Sequence, residues 1–224
     1  MDNAAKHITI AVDGPSGAGK STVCREVAKR LGIVYLDTGA MYRALGLKAL
    51  RLGTDPNDRE GVLGFLYGTA VEIAYEGGEQ QVLLDGENVS TAIRNHEVSR
   101  AASDISKIRE VRLKMVSLQR GIAAGKDVIM DGRDIGTYVL PDAKLKFYLD
   151  AKPEERARRR HLELESKGAG KPYAEVLKDI ISRDANDSGR DFAPLKVADG
   201  ATVIDSTDMT FEEVVSLIIQ RAER

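Results

Sequence analysis

The chain of 224 residues contains no tryptophan, a single cysteine (Cys24) and three scattered histidines (His7, His96, His161). One thiol cannot close an intramolecular disulfide, and the histidines show no zinc-ligand spacing, so neither scaffold is available to the fold. Charge of one sign is lacking too: 33 Lys and Arg against 35 Asp and Glu leave a net −2. No global field then exists to hold nucleic acid or an anionic membrane, and any anion must bind locally. No apolar run approaches a membrane span, and the opening MDNAAKHITIAVDG carries no signal-peptide pattern, which makes a reducing cytoplasm the expected compartment. What is present, 42% hydrophobic and 30% charged residues, is the composition of a globular chain whose length fits one domain with an insertion better than two domains.

Short apolar runs recur at 7–13, 33–37, 127–131, 144–150 and 202–206 with helical stretches between them. Runs apolar on both faces are the pattern of strands in a parallel sheet covered by helices. Four end in Asp, and the fifth has Asp205 one residue before its end. In an open α/β sheet the carboxyl edge is where ligands bind, although Asp is also a common turn residue. Helices are expected over 20–31, 40–52, 108–124, 153–167, 173–187 and 210–222. The last carries Phe211, Val214, Val215, Ile218 and Ile219 at helical spacing, a core-facing stripe. Residues 71–75 and 81–85, joined through Glu-Gly-Gly-Glu and followed by a turn containing Gly86, read as a small antiparallel hairpin inserted into the alternation.

The strongest chemical signal is Gly14-Pro15-Ser16-Gly17-Ala18-Gly19-Lys20-Ser21, a complete G-x-x-x-x-G-K-[ST] pattern that follows an expected strand and opens an expected helix. Its glycines let backbone N–H groups close around phosphate oxygens, the helix N-terminus adds its positive end, Lys20 reaches the outer phosphates and Ser21 can ligate Mg²⁺. Asp131, at the end of the apolar run 127–131, is placed to supply a second contact to the metal, often through water. Arginines gather in the C-terminal half: Arg156, Arg158, Arg159 and Arg160 on one helix, then Arg183 and Arg190 around Asp184 and Asp187. Arg156, Arg159 and Arg160 share one helix face by i, i+3, i+4 spacing, and cations near a transferring phosphoryl group are what such chemistry uses. Residues 165–171 beside them are glycine-rich enough to hinge a closing flap. Cys24, early in the helix after the loop, is expected to be a small core residue.

Phosphate loops serve switches, motors and small-molecule kinases alike. A guanine switch requires an Asn-Lys-x-Asp base reader, and no Asn-Lys pair occurs in the sequence. A nucleic-acid motor calls for a larger and more basic chain. From Leu36-Asp37-Thr38-Gly39-Ala40-Met41-Tyr42-Arg43 onward the sequence resembles the bacterial cytidylate kinases, which pass a phosphate from ATP to CMP or dCMP. The match continues through Ser103 and Val111-Arg112, through Asp131-Gly132-Arg133-Asp134-Ile135-Gly136-Thr137, and through Arg183-Asp184-x-x-Asp187-Ser188-x-Arg190-x-x-Ala193-Pro194-Leu195.

The resemblance implies an α/β P-loop kinase fold: a five-stranded parallel sheet flanked by helices, one domain over 1–224, with a small antiparallel monophosphate-binding insert at about 40–105 and a lid at about 153–175. It implies that Gly14 to Thr22 hold ATP, with Lys20 and Asp131 catalytic and Mg²⁺ on Ser21, and that Arg159 and Arg160 close over the donor. Thr38, Arg43 and Arg133 would hold the acceptor phosphate, and Ser103, Arg112 and Asp134 would surround cytosine. Arg183 and Asp187 would stand near the sugar, with Arg183 and Arg190 reaching the phosphates as well and Arg133 and Arg183 joining catalysis. Tyr42 either lines the acceptor pocket or only packs. CMP and dCMP are the expected partners of a monomer that binds neither nucleic acid nor membrane; the alternatives are a kinase for another nucleoside monophosphate and a nucleotide-binding regulatory module.

The family commonly has Pro where this chain has Arg109. Nine helical residues rotate by about 900°, which puts Ser103 and Arg112 on opposite sides of one continuous helix, so both can face a base only if the helix breaks between them. Ser106 is the available N-cap for a second helix starting at Lys107.

Overall fold

The computed structural model describes residues 7–166 and 168–223; most of the segment before the first strand, and Lys167 within the expected flap hinge, lie outside the described residues. Among the described residues the chain runs β1 (Thr9–Asp13), α1 (Lys20–Leu31), β2 (Val34–Asp37), α2 (Thr38–Leu52), α3 (Arg59–Leu66), β3 (Val71–Glu76), β4 (Glu79–Leu84), β5 (Glu87–Asn88), α4 (His96–Ile105), α5 (Arg109–Ala123), β6 (Val128–Gly132), β7 (Leu145–Asp150), α6 (Pro153–Ser166), α7 (Tyr173–Ser188), β8 (Thr202–Asp205) and α8 (Phe211–Ala222). Residues up to Tyr35 and from Ala123 onward form one compact unit, and Leu36–Ile122 form a second. No helix among the described residues is long and apolar enough to cross a membrane.

The main sheet has five strands in the order β2-β6-β1-β7-β8. β1 pairs in parallel with β6 on one side and β7 on the other, and β7 pairs in parallel with β8. Strands in the middle of such a sheet are covered on both faces, which is why Ile10, Val12, Ile129, Phe147 and Leu149 are all buried. They pack with Val23, Cys24 and Val27 of α1 and Val214, Val215 and Ile218 of α8. Cys24 is the fully buried core residue expected of it. Phe211 departs from the expected stripe: as the first residue of α8 it is 45% exposed, and the core stripe begins at Val214. α8 starts on a capping box, in which the Thr210 hydroxyl accepts the Glu213 N–H and the Glu213 carboxylate accepts the Thr210 N–H.

In the second unit α2 begins on Asp37, whose carboxylate accepts the Ala40 N–H at 2.9 Å. β3 and β4 form the expected hairpin, and β5 adds a two-residue third strand where only a turn was read, because the positive-φ pair Asp85-Gly86 folds the chain straight back. α3 and α4 were not expected as separate helices. α4 does carry a signal, an Asn95 cap followed by buried Val98, Ala101, Ala102 and Ile105, but two of those four are alanines and contribute little to an apolar stripe.

Candidate functional site

The phosphate loop of the first unit occupies the turn between β1 and α1. Gly14 has φ +149°, and a Cβ there would lie 2.0 Å from the Leu149 carbonyl oxygen, so backbone approach to β7 excludes every side chain. Lys20, at the start of α1, is buried, and its Nζ donates to the carbonyls of Gly14 and Pro15, each at 2.7 Å. Burial pulls its pKa down to about 7, the Arg133 charge adds to the fall, and Asp131, Asp187 and Asp13 oppose it. Ser21 Oγ donates to Asp131 Oδ2 at 2.7 Å, and the Tyr35 hydroxyl donates to Asp131 Oδ1 at 3.0 Å. Mg²⁺ takes oxygen ligands and is held by one or two protein groups together with phosphate oxygens. A hydroxyl and a carboxylate one hydrogen bond apart at the start of α1 are such a donor set, so the residues fit that ion.

Asp13, the last residue of β1, is 2% exposed and accepts the N–H groups of Ile135 and Gly136, each at 2.7 Å. Burial pushes its pKa up to about 6, with Asp134 adding to the rise and the two N–H groups restraining it. It thereby fixes the turn that follows β6 and carries Arg133 and the buried Asp134. Arg133 Nε donates to Asp187 Oδ2 at 2.5 Å, while Arg190 pairs with the other oxygen of the same carboxylate. Burial alone would raise the Asp187 pKa, but the charges of Arg133 and Arg190 outweigh it and hold the group below the usual carboxylate value. Arg183, one turn earlier on α7, adds to the same positive field. Lys20, Asp131, Arg133, Arg183, Asp187 and Arg190, scattered from the first helix to the last third of the sequence, therefore meet in one unit.

The arginines of α6 divide by burial. Arg156, grouped with Arg159 and Arg160 on spacing alone, is 3% exposed and turned into the protein. Its Nη1 donates to the Ser16 carbonyl at 2.8 Å and pairs with Asp184 Oδ2 at 2.7 Å, and its Nε donates to the Ala151 carbonyl at 2.7 Å. Arg159 Nη2 donates to the Ser206 carbonyl at 2.6 Å and its Nε to Glu155 at 2.8 Å. Arg158 and Arg159 line a cleft of about 420 Å³ together with Gly19 and Thr22 of the loop and Thr207 and Phe211 after β8. Arg160 pairs with Glu163 at 2.6 Å, and neither residue lines that cleft. Residues 206–211 were missed by sequence reasoning. Their only signal was position, immediately beyond the carboxyl end of a strand, and Phe211 was assigned to the core.

In the second unit Thr38 opens α2 and is buried, and Arg43 Nη2 donates to Asp37 Oδ2 at 2.7 Å. Tyr42 is 8% exposed and its ring faces the Arg112 guanidinium, 5.6 Å from the ring centre. Arg112 is 1% exposed, an unusual position for this residue type. The helix break is present without proline: α4 ends at Ile105 and α5 begins at Arg109. Ser106 does not cap a helix at Lys107; its hydroxyl donates back to the Ser103 carbonyl at 2.8 Å and closes α4, while its own carbonyl faces Arg112 Nη1 at 3.5 Å. The Ser103 hydroxyl is buried and has no hydrogen-bond partner among the described residues.

The sequence model of the cytidylate kinase family matches residues 10–224. The chain is 54% identical over 215 residues to the cytidylate kinase of Caldicellulosiruptor saccharolyticus, covering 96% of this chain and 95% of that one. It is 47% identical over 215 residues to the cytidylate kinase of Clostridioides difficile, covering 96% and 98%. Among solved structures, shikimate kinase from Bacteroides thetaiotaomicron superposes with a TM-score of 0.50 at 13% identity, covering 97% of this chain and 99% of that one. A gluconokinase from Sinorhizobium meliloti does so with a TM-score of 0.51 at 13% identity, covering 97% and 92%. At such identity these two establish the fold alone, that of the P-loop kinases. A profile match over nearly the whole length, with half of the residues shared with full-length relatives, means that the chain belongs to the cytidylate kinase family of nucleoside monophosphate kinases.

Proposed function

We propose that the protein transfers the γ-phosphoryl group of ATP to CMP and dCMP by direct in-line displacement, as a step of pyrimidine nucleotide metabolism in the cytoplasm. The observation that carries this reading is the electrostatics around Lys20. Its ammonium is buried, and burial together with the charge of the partly buried Arg133 brings its pKa down to about 7 although Asp131, Asp187 and Asp13 oppose the fall. A site that crowds two cations together is stabilised by an anion, and phosphates entering the loop would restore the charge on Lys20.

Gly14 to Thr22 cradle the donor phosphates in this reading, and Lys20 exchanges the carbonyls of Gly14 and Pro15 for phosphate oxygens. The cleft beside the loop takes the donor's nucleoside, with Arg159 closing on it; Arg160 joins only by releasing Glu163. Ser21 would hold Mg²⁺ directly and Asp131 through water, and that ion neutralises charge on the outer phosphates when bound. In this reading Thr38, Arg43 and Arg133 are the residues that bind the acceptor phosphate. Asp187 keeps Arg133 and Arg190 in fixed orientation, Arg183 and Arg190 face the phosphates, and Arg183 and Asp187 serve the sugar. Ser103, Arg112 and Asp134 read the base: cytosine needs an acceptor for its amino group and donors for its N3 and O2. Phosphoryl transfer of this kind is mainly positioning and charge stabilisation, so it requires no histidine and no phosphorylated protein intermediate.

A steady-state assay of ATP with CMP, dCMP, UMP, AMP and GMP tests the reading. CMP and dCMP should give the highest kcat/KM. Equal use of UMP, preferential use of a purine monophosphate, or binding without turnover would reject it.

A further inference from the structure

The pair formed by the buried Arg156 on α6 and the partly exposed Asp184 on α7 lies outside the roles assigned above, yet both of its charges are spent on one residue of the phosphate loop. Arg156 Nη1 donates to the Ser16 carbonyl at 2.8 Å, and Asp184 Oδ1 accepts the Ser16 N–H at 3.3 Å. The two side chains are joined to each other at 2.7 Å. We propose that this pair is a positioning device for the donor loop, orienting both peptide planes that flank Ser16; the inference rests on the reading that the loop holds ATP.

The C=O and N–H of a trans peptide point in opposite directions. Holding the Ser16 carbonyl toward Arg156 therefore aims the Gly17 N–H away from it. Holding the Ser16 N–H toward Asp184 likewise aims the Pro15 carbonyl the other way, and Lys20 Nζ meets that carbonyl at 2.7 Å. In a loop that binds anions through its N–H groups, a carbonyl turned inward would repel the ligand. Gly17, at φ +80°, has no side chain to restrain its peptide, and a Cβ on it would already come within 3.2 Å of Arg156 Cβ. The restraint has to come from outside the loop. Once Lys20 leaves the carbonyls of Gly14 and Pro15 for a phosphate, the Arg156–Asp184 pair still holds Ser16.

Stability alone gives a weak reason for the pair, since an apolar residue of similar volume often serves a buried position such as that of Arg156 equally well. The position of Asp184 gives a better one. It lies one turn before Asp187, which orients Arg133 and Arg190, so α7 carries both the grip on the donor loop and the grip on the arginine cluster. A single helix thereby sets the spacing between the two.

The test is calorimetric binding of ADP and, separately, of CMP to the full chain for wild type, R156M, R156K and D184N, with thermal unfolding as the control for folding. R156M should weaken ADP binding by about ten- to hundredfold, the loss associated with charge-assisted hydrogen bonds, and leave CMP binding within about threefold. R156K keeps the charge without the planar fork and should fall between R156M and wild type. D184N keeps an oxygen for the Ser16 N–H and should lose less than R156M. Should R156M fail to fold, R156K carries the comparison. Wild-type binding of ADP with unchanged affinity in folded R156M or R156K would overturn the device alone. Parallel losses for ADP and CMP would also overturn it, because they would mark general loosening. A wild-type chain that binds no ADP would overturn both this inference and the ATP reading beneath it.

Discussion

Asp13 is a buried carboxylate whose ionisation the fold resists, and that resistance can be measured as stability. Its side chain is 2% exposed, and burial lifts its pKa from 3.8 to about 6 in spite of the two N–H groups it accepts. Between those two values the folded chain keeps a proton that the unfolded chain has released. Stability therefore falls as pH rises through that window, is flat above it, and is flat again below it as far as this group is concerned. The interval from 3.8 to about 6, at about 1.36 kcal/mol for each pH unit, corresponds to about 3 kcal/mol. Asp13→Asn removes the proton equilibrium while keeping one oxygen for one of the two N–H groups. Other carboxylates, such as Asp187 with its lowered pKa, contribute the opposite slope, but they do so in both proteins and cancel in the difference. The experiment is urea unfolding of wild type and variant at a series of pH values, followed by circular dichroism because the chain has no tryptophan. The stability of wild type relative to the variant should drop by about 3 kcal/mol between pH about 3.5 and about 6.5, then stay constant. Two curves that remain parallel within about 0.5 kcal/mol across that window would refute the account of Asp13.

Lys20→Ala should lower kcat by on the order of a hundredfold or more, because it removes the cation nearest the donor's outer phosphates; a kcat within about threefold of wild type would remove Lys20 from that role. Asp134→Asn should narrow a CMP over UMP preference that is expected to be on the order of a hundredfold in kcat/KM, chiefly by lowering CMP use, and an unaltered ratio would show that Asp134 does not read the base. Asp187→Ala withdraws one carboxylate from Arg133 and Arg190 together and should cost about 3–5 kcal/mol in urea unfolding. It should also change CMP and dCMP kinetics unequally, and equal losses would take Asp187 away from the sugar.

The parts of the site that were legible in the sequence are those whose geometry is made locally. The loop from Gly14 to Ser21 needs only glycines that admit positive φ and a helix that starts at its end, and both are written in consecutive residues. The apolar runs likewise marked β1, β2, β6, β7 and β8 to within two residues; the central strands are apolar because both of their faces are covered, whereas the edge strand β8 leaves Val203 exposed. The arginine spacing on α6 grouped Arg156, Arg159 and Arg160, but their partners differ, with Arg156 on Ser16 and Asp184, Arg159 on Glu155 and Ser206, and Arg160 on Glu163. Periodicity specifies relative directions around a helix axis, whereas the helix's rotation against its neighbours is decided by packing.

The alternation of strands and helices, the phosphate loop, and the membership in a family that four separated motifs carry in order are all legible in consecutive residues. Contacts across large sequence distances come from the packing of the folded chain. It brought Asp13 to the amides of Ile135 and Gly136, Arg133 to Asp187, and Arg156 to Ser16. It also broke the helix between Ser103 and Arg112 without a proline, and drew Phe211 out of the core to line a cleft. The physical reason is common to these cases. Backbone conformation answers to neighbours a few residues away, but burial of a charge is tolerated only where a partner is waiting, and the partner's position is set by how the sheet and helices pack.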